Sequence, residues 1–260
     1  MRRKFPKLND LNPDLRSLSK VSSLPLRHIA VIMDGNSRWA GQHGLRTKDG
    51  HRKGAEACRN LILDCIELGI PYLSLFAFSS ENWMRSASEV RSLMALFRLM
   101  IARNEIADLH KAGARFRFIG NRTNFSQVLQ AGMLEIEERT ARNNAISVTV
   151  AVDYGGQWDI AQAVLKYIKQ QSAACSASMV PDLSVDDVMR DLRALLTTSD
   201  LPDPDLCIRS AGEQRLSNFL LWQFAYTELY FSNAYWPDFS RNDLEHALEH
   251  YASRVRNFGR

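Results

Sequence analysis

The stretch His28-Ile29-Ala30-Val31-Ile32-Met33-Asp34-Gly35-Asn36-Ser37-Arg38-Trp39-Ala40 decides how this chain is read. Its first part, from Ile29 to Met33, is an unbroken apolar run rich in β-branched residues, the pattern of a strand buried on both faces. The run stops at Asp34-Gly35-Asn36, residues that favour turns and tolerate unusual backbone angles. A carboxylate, an amide and a guanidinium (Arg38) therefore gather at the carboxyl end of a core strand, where open α/β sheets bind ligands. An acid beside an arginine points to an anionic ligand that brings a metal ion, with Asp34 on the cation and Arg38 on the anion. A helix-entry turn, with Asp34 as a cap and Arg38 in water, fits the same residues.

Outward from that stretch, strand and helix patterns alternate. Residues 52–68 read as an amphipathic helix closed by Gly69, and 72–78 as a second buried strand. A long helix over 89–112 carries Leu93, Leu96, Phe97, Met100 and Ile101 at helical spacing, facing a core or an apolar cavity. Strands follow at 115–119, 147–152, 206–209 and 228–231, with helices at 125–143, 160–170, after Ser184, and at 243–254. The small polar segment 172–178 reads as flexible. Alternation at this spacing predicts an α/β fold: a single domain whose central, mostly parallel six-stranded sheet is flanked by helices. Residues 1–27, polar and broken by Pro6, Pro13 and Pro25, read as an N-terminal extension, and 28–260 as the domain.

Four expected strand ends carry polar, turn-prone residues: 34–38, 79–85, 153–157 and 209–218. In a parallel sheet those ends share one edge, so the clusters are expected to converge on one crevice. Together they hold Arg38, Arg85, Arg209 and Arg215 with Asp34, which reads as a diphosphate–metal site. Oxygen donors completed by phosphate make Mg²⁺ the metal to expect.

Bulk properties narrow the classes further. The chain has 260 residues, 45% hydrophobic and 24% charged, with a formal charge of +4, as an ordinary globular domain would. Its basic residues are spread along the chain, so nucleic acid is not the expected partner. Cys58, Cys65, Cys175 and Cys207 lack C-x-x-C spacing and read as reduced thiols rather than a zinc site. Neither a signal-peptide core nor a membrane-spanning run is present, so a cytoplasmic protein is expected. There is no G-x-x-x-x-G-K-[ST] loop, no G-x-G-x-x-G after a strand and no G-x-S-x-G elbow. The paired Asp-rich motif of trans-prenyl synthases is missing as well.

Several longer runs carry a resemblance. These are Met33-Asp34-Gly35-Asn36-x-Arg38-Trp39-Ala40, Gly50-His51-x-x-Gly54, Phe76-Ala77-Phe78-Ser79-Ser80-Glu81-Asn82-Trp83, Gly212-Glu213-x-Arg215-x-Ser217-Asn218-Phe219-Leu220-Leu221-Trp222-Gln223, and Trp236-Pro237-Asp238-Phe239. Over residues 28–260 the chain closely resembles the cis-prenyltransferases, the bacterial undecaprenyl diphosphate synthases among them. The resemblance implies a homodimer with a hydrophobic tunnel. It also implies Mg²⁺-dependent addition of isopentenyl diphosphate to an allylic diphosphate, usually farnesyl diphosphate, giving undecaprenyl diphosphate for the cell-wall lipid carrier. Peripheral contact with a membrane would accompany product release. By matched position, Asp34 is the essential acid and Asn82 the group proposed to accept a proton. Gly35, Asn36, Arg38 and His51 would surround the allylic diphosphate, with Trp39 beside the primer and Ser37, Arg46 and Thr47 as further substrate-binding positions. Ser79, Ser80, Glu81, Trp83 and Arg85 would help hold substrate. Arg209, Arg215, Leu216 and Ser217 would hold isopentenyl diphosphate, and Glu228 would complete the metal site with Asp34 from a partner subunit.

The chain departs from the family pattern at definite places. Thr47 stands where an arginine is usual, flanked by Arg46 and Lys48. Asp153 and Gln157 end what is usually Asn-Tyr-Gly-Gly-Arg, Ser210-Ala211 replaces Thr-Gly, and Gln214 replaces a histidine found near the metal in some relatives. A short-chain enzyme using dimethylallyl or geranyl diphosphate, and a non-catalytic partner subunit, are the alternatives these departures raise.

Overall fold

The computed structural model describes residues 26–102, 104–174 and 184–254; most of the expected N-terminal extension, Cys175 with most of segment 172–178, and residues 255–260 lie outside that set. Six strands form one sheet: β1 His28–Ile32, β2 Tyr72–Ser79, β3 Ala114–Ile119, β4 Ile146–Tyr154, β5 Leu206–Arg209 and β6 Glu228–Phe231. The order is β3-β4-β2-β1-β5-β6, and every pairing is parallel. Val31 sits between Leu75 and Ile208, so the opening stretch is the central strand of the sheet. All five of its residues are buried, as a strand covered on both faces requires. The chain leaves β1 toward β2 and β4 on one side and returns to β5 on the other. The carboxyl end of β1 is therefore the topological switch point, the place where such sheets form a crevice.

The helices are α1 Asn36–Gln42, α2 Thr47–Glu67, α3 Ala87–Ala102, α4 Asn104–Lys111, α5 Gln127–Thr140, α6 Gly156–Ala174, α7 Val185–Leu195 and α8 Arg241–Ser253. Alternation in the strands sorts the core. Ile29, Val31, Leu73 and Leu75 pack toward α2, α3, α4, α5 and α8. Ala30, Ile32 and Phe76 pack the other way, against Phe219, Leu220, Phe224 and Trp158 of α6. A register shift between Phe76 and Phe78 breaks the alternation in β2 and turns Phe78 to the first face, as a bulge does.

Several boundaries differ from the sequence reading, each for a physical reason. The helix expected at 52 begins at Thr47, with Gly50 inside its first turn; Gly50 and Gly54 are both buried close-packing residues. A Cβ on Gly50 would stand 2.1 Å from the Asn36 carbonyl oxygen, and one on Gly54 2.2 Å from Asn36 Oδ1. The expected single helix over 89–112 is two, α3 and α4, joined at residue 103, outside the described residues. Strand β4 runs on to Tyr154, and α6 begins at Gly156 rather than 160.

Candidate active site

A cavity of about 990 Å³ opens at the carboxyl ends of β1, β2 and β5 and runs inward along the α2 side of the sheet. That is the upper end of the roughly 300–1,000 Å³ usual for ligand pockets. Its mouth is polar and its interior apolar, and the sequence explains both. The strand ends supply turn-forming polar residues. The interior is walled by side chains of β2, β3 and β4 and by the inner faces of α2 to α5, including Leu93, Phe97, Phe118, Ile136 and Val150. Leu96, Met100 and Ile101 of the expected apolar stripe fall among side chains the structure does not describe.

Asp34 is the hub of the mouth. Gly35 follows it at φ 98, in a left-handed conformation where a Cβ would meet Tyr235 Cδ1 at 2.6 Å. Ser210 Oγ accepts from the Asp34 N–H and donates to its carbonyl oxygen, both at 2.8 Å, which fixes the direction of the carboxylate. Arg209 donates to Asp34 Oδ2 at 2.8 Å and Arg38 to Oδ1 at 3.1 Å. Burial opposes ionisation of this acid, but Arg209 and then Arg38 outweigh it, and its pKa lies below the ordinary carboxylate value.

Arg209 is almost wholly buried at the end of β5. Its guanidinium also donates to Ser217 Oγ at 2.8 Å and to the Arg215 carbonyl, while its Nε has no partner in the protein. Glu213 bridges the next two cations, accepting from Arg38 at 2.7 Å and from Arg215. Arg215 and then Arg38 hold its carboxyl below the usual range. Three guanidinium groups thus stand around one crevice, balanced by two carboxylates that an anionic ligand would replace or share.

On the opposite lip, Ser79 caps a short 3₁₀ turn, Ser80–Met84. Asn82 lines the cavity, and its Oδ1 accepts from the Ser79 N–H at 3.1 Å, so one lone pair is already committed. Asn218 donates to Glu81 at 2.9 Å, linking the two lips. His51, in the first turns of α2, lines the cavity beside Arg85 and Glu89. Burial, then Arg85, push its pKa down to about 4, so the imidazole is neutral near pH 7 and offers a hydrogen bond without a charge.

Of the residues singled out from the sequence, Asp34, Gly35, Asn36, Ser37, Arg38, His51, Ser79, Glu81, Asn82, Arg85, Arg209, Arg215 and Ser217 line this one cavity. Others do not. Trp39 turns away to stack on His43 at 4.3 Å. Arg46 pairs with Asp49 at 3.5 Å on the helix surface, and neither it nor Thr47 reaches the wall. Ser80 is outside the wall. Trp83 packs on Phe78 and Phe125 behind the lip, and Leu216 packs on the far face of the sheet. The cluster 153–157 does not enter the crevice either: Asp153 accepts from Asn124 at 2.7 Å, and Gly156 and Gln157 brace Asn218 from behind. Its strand, β4, is separated from β1 and the switch point by β2. Glu228 pairs with Leu206 at the amino end of β6 and is held by Arg254 at 3.2 Å, away from Asp34 in the same chain.

Sequence reasoning missed Ser210, Glu89 and Arg59. The spacing His51, Ala55, Arg59, continuing to Ile62, is the signal that would have found the last of these, since it marks one face of α2. Among the described residues no three His, Cys, Asp or Glu side chains gather as a metal cage. The ionised Asp34 carboxylate at the mouth, with room for phosphate oxygens and water, nevertheless fits Mg²⁺, which takes few protein ligands.

Comparison with known proteins gives a consistent picture. Residues 32–259 match the prenyltransferase family described as undecaprenyl diphosphate synthase. A Pseudomonas aeruginosa ditrans,polycis-undecaprenyl-diphosphate synthase, named as specific for (2E,6E)-farnesyl diphosphate, is 48% identical over 235 residues, 90% of either chain. An isoprenyl transferase of Nitrosomonas europaea is 46% identical over 94% of this chain and 89% of its own. Among solved structures, lavandulyl diphosphate synthase from Lavandula x intermedia, in complex with dimethylallyl diphosphate, superposes with a TM-score of 0.83 at 34% identity, covering 90% of this chain and 98% of that one.

Proposed function

The chain belongs to the undecaprenyl diphosphate synthase family of prenyltransferases, and from that premise we propose that it elongates farnesyl diphosphate with isopentenyl diphosphate to undecaprenyl diphosphate, with Mg²⁺ at Asp34. One observation carries the reading: an ionised Asp34, clasped by Arg38 and Arg209, at the polar mouth of a cavity of about 990 Å³ whose interior is apolar.

The chemistry follows from those residues. Ionising an allylic diphosphate separates charge, so the leaving group must meet cations and donors already in place. Arg38, neutral His51, and the Ser37 and Asn36 side chains at the α1 start serve that end. Arg209, Arg215 and Ser217 line the same part of the mouth and take the second diphosphate. Bound Mg²⁺ supplies Lewis-acid neutralisation of the departing diphosphate. The new carbon–carbon bond leaves a cation that sheds a proton. Asn82 has one lone pair engaged and is a weak base, so we assign that proton to a diphosphate oxygen and give Asn82 the role of orienting the substrate. The apolar interior keeps water from the cation and receives the growing chain.

Two copies acting as a homodimer would let Glu228 of one serve the metal of the other. Mixed dimers of Asp34→Ala and Glu228→Ala chains test this: activity regained on mixing supports it, and none regained refutes it. Among the described residues no helix is long and apolar enough to cross a membrane, which supports a cytoplasmic enzyme that meets the bilayer only to release product. The likeness to lavandulyl diphosphate synthase supports a second reading, a short product built from dimethylallyl diphosphate. Mass spectrometry of products from each primer decides. Polymer from farnesyl diphosphate, reduced about 10²–10³-fold by Asp34→Ala, is the expected result; a short product from dimethylallyl diphosphate alone would replace this reading with the second.

A further inference from the structure

Beyond the mouth, the wall of the cavity carries one guanidinium among its described residues, and it belongs to Arg59. Arg59 lies eight residues past His51 on the cavity side of α2, about 12 Å farther in at 1.5 Å per residue. Its neighbours along the wall are Ala55, Cys58 and Ile62 of α2, with Ile106 and Leu109 of α4. A charge in such a wall is costly unless its head group leaves the apolar space, and Arg59 does so. Its guanidinium donates to Asp108 Oδ2 at 3.4 Å, and Asp108 is half exposed and not part of the wall. Among the described residues, Arg59 thus faces the cavity on one side and a half-exposed partner on the other.

We propose that the Arg59–Asp108 pair is a latch over a second opening of the cavity, between α2 and α4, and that it limits how far a prenyl chain can extend. The inference rests on the prenyl-elongating function proposed above. The pair is long and partly exposed, and such pairs are weak and screened by salt. It closes the seam without packing it, and a chain end pressing on the stem of Arg59 meets a contact that can yield. Asp108 touches no expected substrate, so its role is specificity for product length, exerted through Arg59.

The test uses the full chain with farnesyl and isopentenyl diphosphates. Asp108→Ala is expected to leave the rate of the first condensation unchanged and to shift the product distribution upward by one or more isoprene units. Arg59→Ala should shift it the same way, and the swapped pair Arg59→Asp with Asp108→Arg should bring it back. An unchanged distribution in either single variant overturns the latch. So does a shift that the swap leaves in place, which would mark a packing effect. Binding of prenyl alcohols of increasing length, read by quenching of tryptophan emission (Trp236 lines the cavity), needs no turnover. Asp108→Ala should raise the longest alcohol bound, and no rise refutes the latch. A wild-type chain that binds the alcohols but makes no polymer would instead overturn the proposed function.

Discussion

The two faces of the sheet are built from the same strands and reach opposite ends. On the α6 side, Phe76 stacks on Phe219 at 4.4 Å with their rings nearly parallel, and Tyr154 and Phe224 meet Phe219 edge-on. Behind the mouth, where Ile32 and Phe76 also border the cavity, that face is filled. On the α2 side the residues alternating with these, Leu75, Phe116, Phe118 and Val150, stand against helices that do not touch them everywhere, and a cavity of about 990 Å³ remains. A one-residue step along a strand separates a filled core from a hollow one. Stability should therefore be concentrated on one face and substrate capacity on the other.

The largest expected effect tests that division directly. Phe219→Ala removes a fully buried ring from the closed face and should lower unfolding free energy by about 3–5 kcal/mol in urea titration. Leu109→Ala, in the cavity wall, should cost less, about 2 kcal/mol, because the lost side chain already lacked neighbours on one side. Equal losses would mean that the hollow face bears as much of the stability as the packed one.

The pH response sharpens the comparison next. His28 is buried in the sheet, with Nδ1–H donating to the Pro202 carbonyl at 2.7 Å and Nε2 accepting from Ser74 Oγ at 2.8 Å. Burial pushes its pKa down to about 4 from 6.5. Between those values the unfolded chain binds more protons, so stability is complete above pH 6.5 and falls as pH drops toward 4, by up to about 3 kcal/mol. His51 has the same depressed value, about 4, at the hollow mouth. Adding diphosphate should raise the titration midpoint of His51 in NMR and leave that of His28 unmoved. A midpoint of His51 that stays put would remove it from the diphosphate's surroundings.

Much of this was legible in the chain itself. The strand at residues 28–32, the parallel order and the convergence of Asp34, Asn82, Arg209 and Arg215 all follow from apolar runs that end in turn residues. What was not legible depends on packing. Gly50 and Gly54 let α1 approach α2, a close contact that only the folded packing reveals. Trp39 sits one residue beyond Arg38, which on a helix is enough to turn it away from the cavity. The bulge after Phe76 moves Phe78 between faces, and nothing in the composition of β2 announces it. Arg59 went unmarked because its spacing from His51 matters only once α2 is known to begin at Thr47.

Arg209 joins the two faces at the mouth and carries the next effect. Arg209→Lys keeps the charge but loses the fork that reaches Asp34 and Ser217 together. With about 1.5–3 kcal/mol per charged hydrogen bond, kcat/KM should fall roughly 10–100-fold, most of it as a raised KM for isopentenyl diphosphate. A loss confined to thermal stability, with KM unchanged, would make Arg209 a structural partner of Asp34 and nothing more.

The smallest effect lies at the same mouth. Ala211 adopts φ 70, a left-handed conformation that favours glycine. Its Cβ faces Gly35, where an added methyl group would come within 2.9 Å of it, so the turn after β5 and the turn after β1 crowd each other beside Asp34. Ala211→Gly relieves the backbone strain but frees the unfolded chain, and the two partly cancel. A net gain of about 0.5–1 kcal/mol is expected, measured by the shift in urea midpoint at constant m-value. A loss would mean that the Ala211 methyl is packed as tightly as the closed face, and that the hollow half of the molecule begins only inside the mouth.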